Sequence, residues 1–284
     1  IKSERLELMK ACHANFSHIF SVYTDKTGLI QTLKSAASDL APEVEFTDDA
    51  KHHHKMWCIS DPQIQASVTE SLKPRRLFIA DGHHRAASAS RARQERRADN
   101  PNHAGNEEYN RFLAVAFPAG ELRILPYNRV VRDLHGLAPA EFLEAAGKVG
   151  DLKRSREPEP AAPGRCCLYL AGEWYELVFP EPAPGTPAAR TLDVAILQDT
   201  ILEPVLGISD PRTSERIDFV GGIRGTQELE RLVDSGAAEV AFSMFPTSIQ
   251  QLMNVSDAGE IMPPKSTWFE PKLRDAMVIH EIVS

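Results

Sequence analysis

Five consecutive residues, Asp81-Gly82-His83-His84-Arg85, combine an acid, a flexible glycine, two imidazoles and a guanidinium. They follow Leu77-Phe78-Ile79-Ala80, an apolar run that fits a strand buried on both faces. They open an alanine- and arginine-rich stretch, His83 to Arg97, with strong helix propensity. A strand that turns through glycine into a helix presents free backbone N–H groups and about half a positive charge to an anion at the bend. Gly82 lets a ligand approach the backbone, Arg85 can clamp two phosphate oxygens, and one histidine can move a proton near neutral pH. The bend is a candidate phosphate cradle, with Gly82, His83 and Arg85 as its phosphate-binding residues. The plainer reading is that Asp81 caps the helix and the histidines face water. Capping, however, needs only one short polar side chain, and five adjacent positions are special here.

Other polar groups offer weaker signals. Lys265-Ser266-Thr267, stiffened by Pro263-Pro264, supplies a cation and two hydroxyls that suit a second phosphate contact as well as an ordinary solvated loop. It is not a Walker motif, because the glycine-rich run and the following helix are missing. In His52-His53-His54, neighbours on an extended strand alternate sides, so three imidazoles cannot face one ion. His52 and His53 read as surface histidines, and His54 is kept as a substrate contact. Asp48-Asp49 could hold Mg²⁺ or form an acidic loop, and Asn128-Arg129, at a strand end, could anchor substrate or be surface polarity.

The elements that must position these groups alternate along the chain. Helices are expected over Ser3–Asn15, Lys26–Asp39, from Asp61-Pro62 to Leu72, and after Thr247 as cap. Strands are expected over His18–Tyr23, Lys55–Ile59, Ile217–Val220 and Glu239–Phe245. Arg111 to Val131 reads as a hairpin turning at Ala119-Gly120. Proline-rich stretches flank another hairpin, Cys166–Phe179. The fold class is α/β (α+β) with a mixed sheet. The expected organisation is a core over 1–136 carrying the Asp81–Arg85 box, a helix and hairpin insertion over 137–190, and a C-terminal α/β segment over 191–284 carrying Lys265.

Composition narrows the partners. A net charge of −8 argues against a broadly basic nucleic-acid surface and favours a small-molecule ligand. No stretch has the roughly 20 apolar residues of a membrane helix, and the first residues lack the apolar core of a signal peptide, so a cytoplasmic protein is expected. Four cysteines without CxxC spacing suggest reduced, packed thiols. A homo-oligomer is compatible with all of this. The abrupt start at Ile1 suggests that a native N-terminal portion precedes it.

The chain resembles the bacterial family called domain of unknown function 1015. The resemblance lies in Asp81–Arg85, Asn110-Arg111-Phe112-Leu113-Ala114-Val115, Leu125-Pro126-Tyr127-Asn128-Arg129-Val130-Val131, and Gly259 to Phe269. The Asp81–Arg85 box is also similar to the phosphate-binding box of the ParB/sulfiredoxin-like superfamily, which includes free-serine kinases. That resemblance implies a ParB/sulfiredoxin-like core, ATP or ADP with Mg²⁺, and transfer of a phosphoryl group to a small hydroxyl substrate such as free serine, with Gly82, His83 and Arg85 on the nucleotide phosphates and Asp81, His84 and Arg85 as catalytic residues. It leaves open a non-catalytic nucleotide-binding regulatory module and a phosphoserine phosphatase. A DNA-binding or nuclease protein using Arg75 and Arg76 is a further alternative.

Overall fold

The computed structural model describes residues 2–270, 272–275 and 277–282. The protein is a mixed α/β structure that divides into two units, one formed by residues 1–122 with 272–284 and the other by residues 123–271. No helix among the described residues is long and apolar enough to cross a membrane.

The first unit runs α1 (Lys2–Cys12), β1 (Ala14–Asn15), β2 (Ile19–Tyr23), α2 (Leu29–Ser38), β3 (Val44–Thr47), β4 (His53–Met56), α3 (Pro62–Leu72), β5 (Phe78–Asp81), α4 (His83–Asp99) and β6 (Ala114–Pro118). β2 is buried throughout and forms the middle of a three-stranded sheet, antiparallel to β5 and parallel to β6. β5 is therefore an edge strand. This corrects the expectation of burial on both faces, since Ala80 is buried whereas Ile79 and Leu77 are exposed. β3 and β4 pair as an antiparallel hairpin, and β1 pairs with His280–Glu281. Leu6 and Met9, one turn apart on α1, pack with Ala89 and Ala92 of α4, Tyr109 and Ile282. Two alanines at helical spacing present so little side chain that α1 can lie close on α4, which fixes the axis of the helix that begins at the candidate site.

Helix starts in this unit follow side-chain chemistry. Asp61 caps α3 by accepting from the N–H groups of Gln63 (2.7 Å) and Ile64 (3.2 Å), with Pro62 at the first helical position, as the sequence suggested. α2 begins at Leu29, later than expected, because Gly28 stands before it in the left-handed region (φ 71°) and Asp25 closes the turn from outside the helix.

The second unit holds β7 (Arg123–Leu125), β8 (Tyr127–Val131), α5 (Pro139–Val149), β9 (Asp151–Ser155), β10 (Arg165–Leu170), β11 (Glu173–Val178), α6 (Asp193–Leu197), β12 (Ile217–Gly221), α7 (Gln227–Asp234), β13 (Val240–Met244), α8 (Ile249–Asp257) and β14 (Trp268–Glu270). Six strands form one antiparallel sheet in the order β12-β8-β13-β10-β11-β9. Residues 137–190 thus contribute three of its strands. Burial follows the period of two expected of a pleated strand. Cys166, Leu168 and Leu170 of β10 and Val240, Phe242 and Met244 of β13 face a core shared with Phe142 and Ala146 of α5 and with Val194 and Leu197 of α6. Cys167, Tyr169 and Ala241 face the opposite core with Leu229 of α7. Both central strands are covered on both sides, which is why they read as continuous apolar runs.

Two further expectations fail for identifiable reasons. The hairpin expected over 111–131 does not form. β6 joins β2, β7 pairs with β14, and β8 enters the six-stranded sheet between β12 and β13, so the stretch after Pro118 passes from one unit to the next. The cap of α8 is Ser248 rather than Thr247. Ser248 and Gln251 form a reciprocal capping box, while the Thr247 hydroxyl donates to the carbonyl of Ser266 (3.0 Å). The cysteines are free. Cys166 and Cys167 are buried, with burial pushing the Cys167 thiol up to about 12, whereas Cys12 and Cys58 are exposed.

Candidate functional site

The bend between β5 and α4 is built by Gly82, which stands before the helix in the left-handed region (φ 96°, ψ 23°) where other residues are strained. Among the described residues no side chain caps α4. Its first intrahelical hydrogen bond, Ala86 N–H to the Gly82 carbonyl (2.9 Å), leaves the preceding turn of N–H groups without a helical acceptor. Asp81, which could have capped, pairs instead with Arg85, whose Nη2 lies 2.7 Å from Asp81 Oδ2. The guanidinium folds back under the turn, so a Cβ added at Gly82 would lie 2.8 Å from Arg85 Nε. A second carboxylate, Asp275, lies 3.8 Å from Arg85 Nη1. His83 and His84 are both exposed.

Arg85 also lines a small cleft of about 50 Å³, together with Arg5, Asn15, Ser17 and Ser88. Its wall is mainly apolar, with Leu8, Met9, Ala14 and Phe16 beside those polar groups, and its volume is well below the several hundred Å³ of a pocket that engulfs a whole nucleotide. Asn15 and Ser88 are buried; the amide of Asn15 is held by the ring of His280 (3.2 Å). Beside Arg85 lies the half-buried His18. Loss of water at the imidazole, then the positive charge of Arg85, lower its pKa, and Asp275 and Asp81 offset this in part. Burial and the Arg85 charge both favour the neutral form of the His18 imidazole. Nothing in its sequence context marked it, because it reads only as the first residue of a strand.

The other candidate residues lie elsewhere. His54, on β4, is half-buried; its Nε2 is 3.0 Å from Asp48 Oδ2 and its ring stacks on Phe46. The remainder belong to the second unit. Asn128 is buried and its Oδ1 accepts from the Met244 N–H (3.0 Å). Arg129 is buried too. It donates to the carbonyls of Tyr127 and Lys265, the latter at 3.0 Å, and lies over the ring of Phe219. Burial lowers its pKa to about 10. The hydroxyl of the buried Ser266 donates to the Pro263 carbonyl (2.6 Å), and Thr267 is half-buried. Lys265 keeps an exposed ammonium over the Tyr127 ring (5.4 Å) and adopts a left-handed backbone (φ 54°). The structure thus gathers Asp81 through Arg85 with His18 in one unit, and Tyr127, Arg129 and Lys265 in the other.

The chain belongs to the family described as "Protein of unknown function (DUF1015)", whose model matches residues 1–195. Among curated proteins none matches. Solved structures similar to it include a free serine kinase in complex with AMP, at 12% identity and a TM-score of 0.44 over 94% of this chain and 78% of that one. A conserved hypothetical protein from Pyrococcus furiosus matches at 12% identity and a TM-score of 0.42, over 96% and 84% of the two chains. SbnI with C-terminal truncation from Staphylococcus aureus matches at 11% and 0.45, over 95% and 74%.

Proposed function

We propose that the protein binds the phosphates of a nucleotide, ATP or ADP, at the β5–α4 bend and transfers a phosphoryl group to or from a small hydroxyl compound such as free serine. The observation that carries this reading is the uncapped start of α4 behind Gly82, with Arg85 folded beneath the same turn. Helix N–H groups and a guanidinium that converge on one bend are the donors that phosphate oxygens require. The likeness of the Asp81–Arg85 box to the ParB/sulfiredoxin-like phosphate box supports it. The reading rests on the first unit alone.

In this scheme the N–H groups of Gly82 and His83 and the Arg85 guanidinium hold the phosphates and stabilise charge on the transferred group. Asp81 or His84 orients the hydroxyl, and the neutral imidazole of His18 is a further acceptor for its proton. The exposed carboxylate of Asp81 suits Mg²⁺ held chiefly by phosphate oxygens, an ion that neutralises phosphate charge. Incubation with ATP or ADP, Mg²⁺ and serine or phosphoserine tests the reaction in both directions. Phosphoserine formation or its reversal is expected. Tight nucleotide binding without product would favour the regulatory module, and phosphate release from phosphoserine without nucleotide would favour a phosphatase. Arg85→Ala is expected to weaken nucleotide binding about ten- to hundred-fold, the loss of a charge-assisted contact of about 1.5–3 kcal/mol.

A further inference from the structure

A second cluster of chemistry-bearing side chains sits on the β3–β4 hairpin, independent of the β5–α4 bend. From it we infer that Asp48, His52 and His54 form an open-sided site for one divalent transition-metal ion of the zinc class.

The hairpin turn creates the arrangement. Lys51 adopts a left-handed backbone (φ 66°). The Lys51 N–H donates to the Asp48 carbonyl (2.9 Å), and the Asp48 N–H donates to the His52 carbonyl (2.9 Å). Strand alternation then puts His52 and His54 on one face and His53 on the other, where it meets Glu45 (2.9 Å) and Thr47 (3.1 Å). Alternation, which forbids three adjacent histidines from sharing an ion, is what allows the first and third to share one.

The carboxylate of Asp48 completes the set. Its side chain is 6% exposed, and Oδ1 accepts from the His52 N–H (2.9 Å), which fixes its orientation. Oδ2 faces His52 Nδ1 at 3.3 Å and His54 Nε2 at 3.0 Å, and one ligand atom from each of the three residues lies within 4.8 Å of the others. Metal–ligand bonds of about 2.0–2.1 Å in a tetrahedron separate neighbouring ligand atoms by roughly 3.3 Å, so an ion can replace the hydrogens that link rings to carboxylate with little movement. Stacking on Phe46 (centroids 4.8 Å apart) holds the His54 ring in place. Two imidazoles and one carboxylate favour Zn²⁺, Co²⁺ or Ni²⁺ over Mg²⁺ or Ca²⁺, and three protein ligands leave coordination positions for water or a substrate group.

Arg274 is the built-in competitor. Its guanidinium also hydrogen-bonds Asp48 Oδ2, and this half-exposed side chain must release the carboxylate oxygen for an ion to bind. The site therefore exchanges a protein cation for a metal cation.

Calorimetric titration of the full chain with ZnCl₂, and with CoCl₂ followed by visible absorption, tests this. One ion per chain at micromolar affinity is expected, with the Co²⁺ spectrum of a four- or five-coordinate centre. His54→Ala and the near-isosteric Asp48→Asn should each weaken binding at least about ten-fold while far-UV circular dichroism stays unchanged, and His53→Ala should leave it within about two-fold. Arg274→Ala should tighten it several-fold, a gain that a merely structural Asp48 would not produce. Absence of Zn²⁺ binding below millimolar concentration overturns the inference, as does binding that His53→Ala abolishes and His54→Ala leaves intact.

Discussion

Helices α2 and α4 of the first unit start alike and are finished differently. Each is preceded by a glycine in the left-handed region, Gly28 (φ 71°) and Gly82 (φ 96°), and neither glycine has a side chain with which to cap. At α2 the protein supplies its own anion. The carboxylate of Asp25 accepts from the N–H groups of Thr27 (3.1 Å), Leu29 (3.2 Å) and Ile30 (3.1 Å), and Arg75 stands beside it at 3.4 Å. At α4 the nearest acid, Asp81, turns to Arg85, and no side chain among the described residues meets the amides. The same backbone device is thus sealed internally in one place and left facing outward, with a cation added, in the other. The pair shows what a carboxylate does at such a turn and what α4 can do for an anion that reaches it.

A third carboxylate sharpens the comparison by reversing its sign. Asp193 opens α6, yet it is buried and among the described residues accepts only the Gly164 N–H (3.0 Å), so the loss of water outweighs the one hydrogen bond and its pKa rises to about 6. Asp25 also loses water, which raises its pKa, but the N–H groups of Ile30, Thr27 and Leu29 together with Arg75 overcome this and lower it to about 2. The number of donors decides the direction. For Asp193 the folded state binds the proton more tightly than the unfolded chain, so its contribution grows as pH falls from above 6 and is complete below about 4. The largest predicted effect follows. Asp193→Asn keeps an acceptor for Gly164, removes the cost of a buried charge at neutral pH, and should stabilise the protein there by up to roughly 3 kcal/mol. Urea denaturation at pH 7 and pH 4.5 checks this: the variant's advantage should shrink at the lower pH, and an advantage that does not depend on pH would show that Asp193 is not neutralised on folding.

Asp25→Ala comes next. It strips three N–H groups of their acceptor and should cost about 2 kcal/mol, read as a lower thermal midpoint at pH 7. Because the folded pKa of Asp25 lies below the usual carboxylate value, its contribution is present above about pH 4 and is lost as pH falls toward 2. The midpoints of wild type and variant should therefore converge in acid. Convergence only on the alkaline side would contradict the assigned role.

What could be read directly from residue order divides along the same lines. Asp61-Pro62 marked the start of α3 because cap and helix are adjacent in the chain. The β10–β11 hairpin was marked because proline-rich stretches bracket it, and in the structure Ala171 (φ 49°) and Gly172 (φ 81°) form its two-residue turn. The Asp81–Arg85 bend was visible because strand, glycine and helix are consecutive. Features that depend on pairing across the chain were hidden. Local patterning could not say that β6 and β7 would choose different partners, nor that β5 would be an edge. His18 comes near Arg85 only through the β2–β5 pairing, whose register sets Phe20 opposite Asp81. Asp25 carried a signal that could have been used, an acid three residues before a glycine that opens a helix.

The smallest predicted effect bears most on the contrast between the two helix starts. Asp81 and Arg85 form an ion pair across one helical turn, with the Asp81 side chain 60% exposed, and exposed pairs of this kind contribute about 0.5 kcal/mol or less. Arg85→Ala should therefore leave the thermal midpoint close to wild type while lowering affinity for inorganic phosphate and ADP. The Asp25 variant should do the reverse, losing stability while retaining anion affinity at α4. If Arg85→Ala instead destabilises as much as Asp25→Ala with phosphate binding unchanged, the guanidinium is a structural brace under the Gly82 turn, and the two helix starts differ only in which internal group supports them.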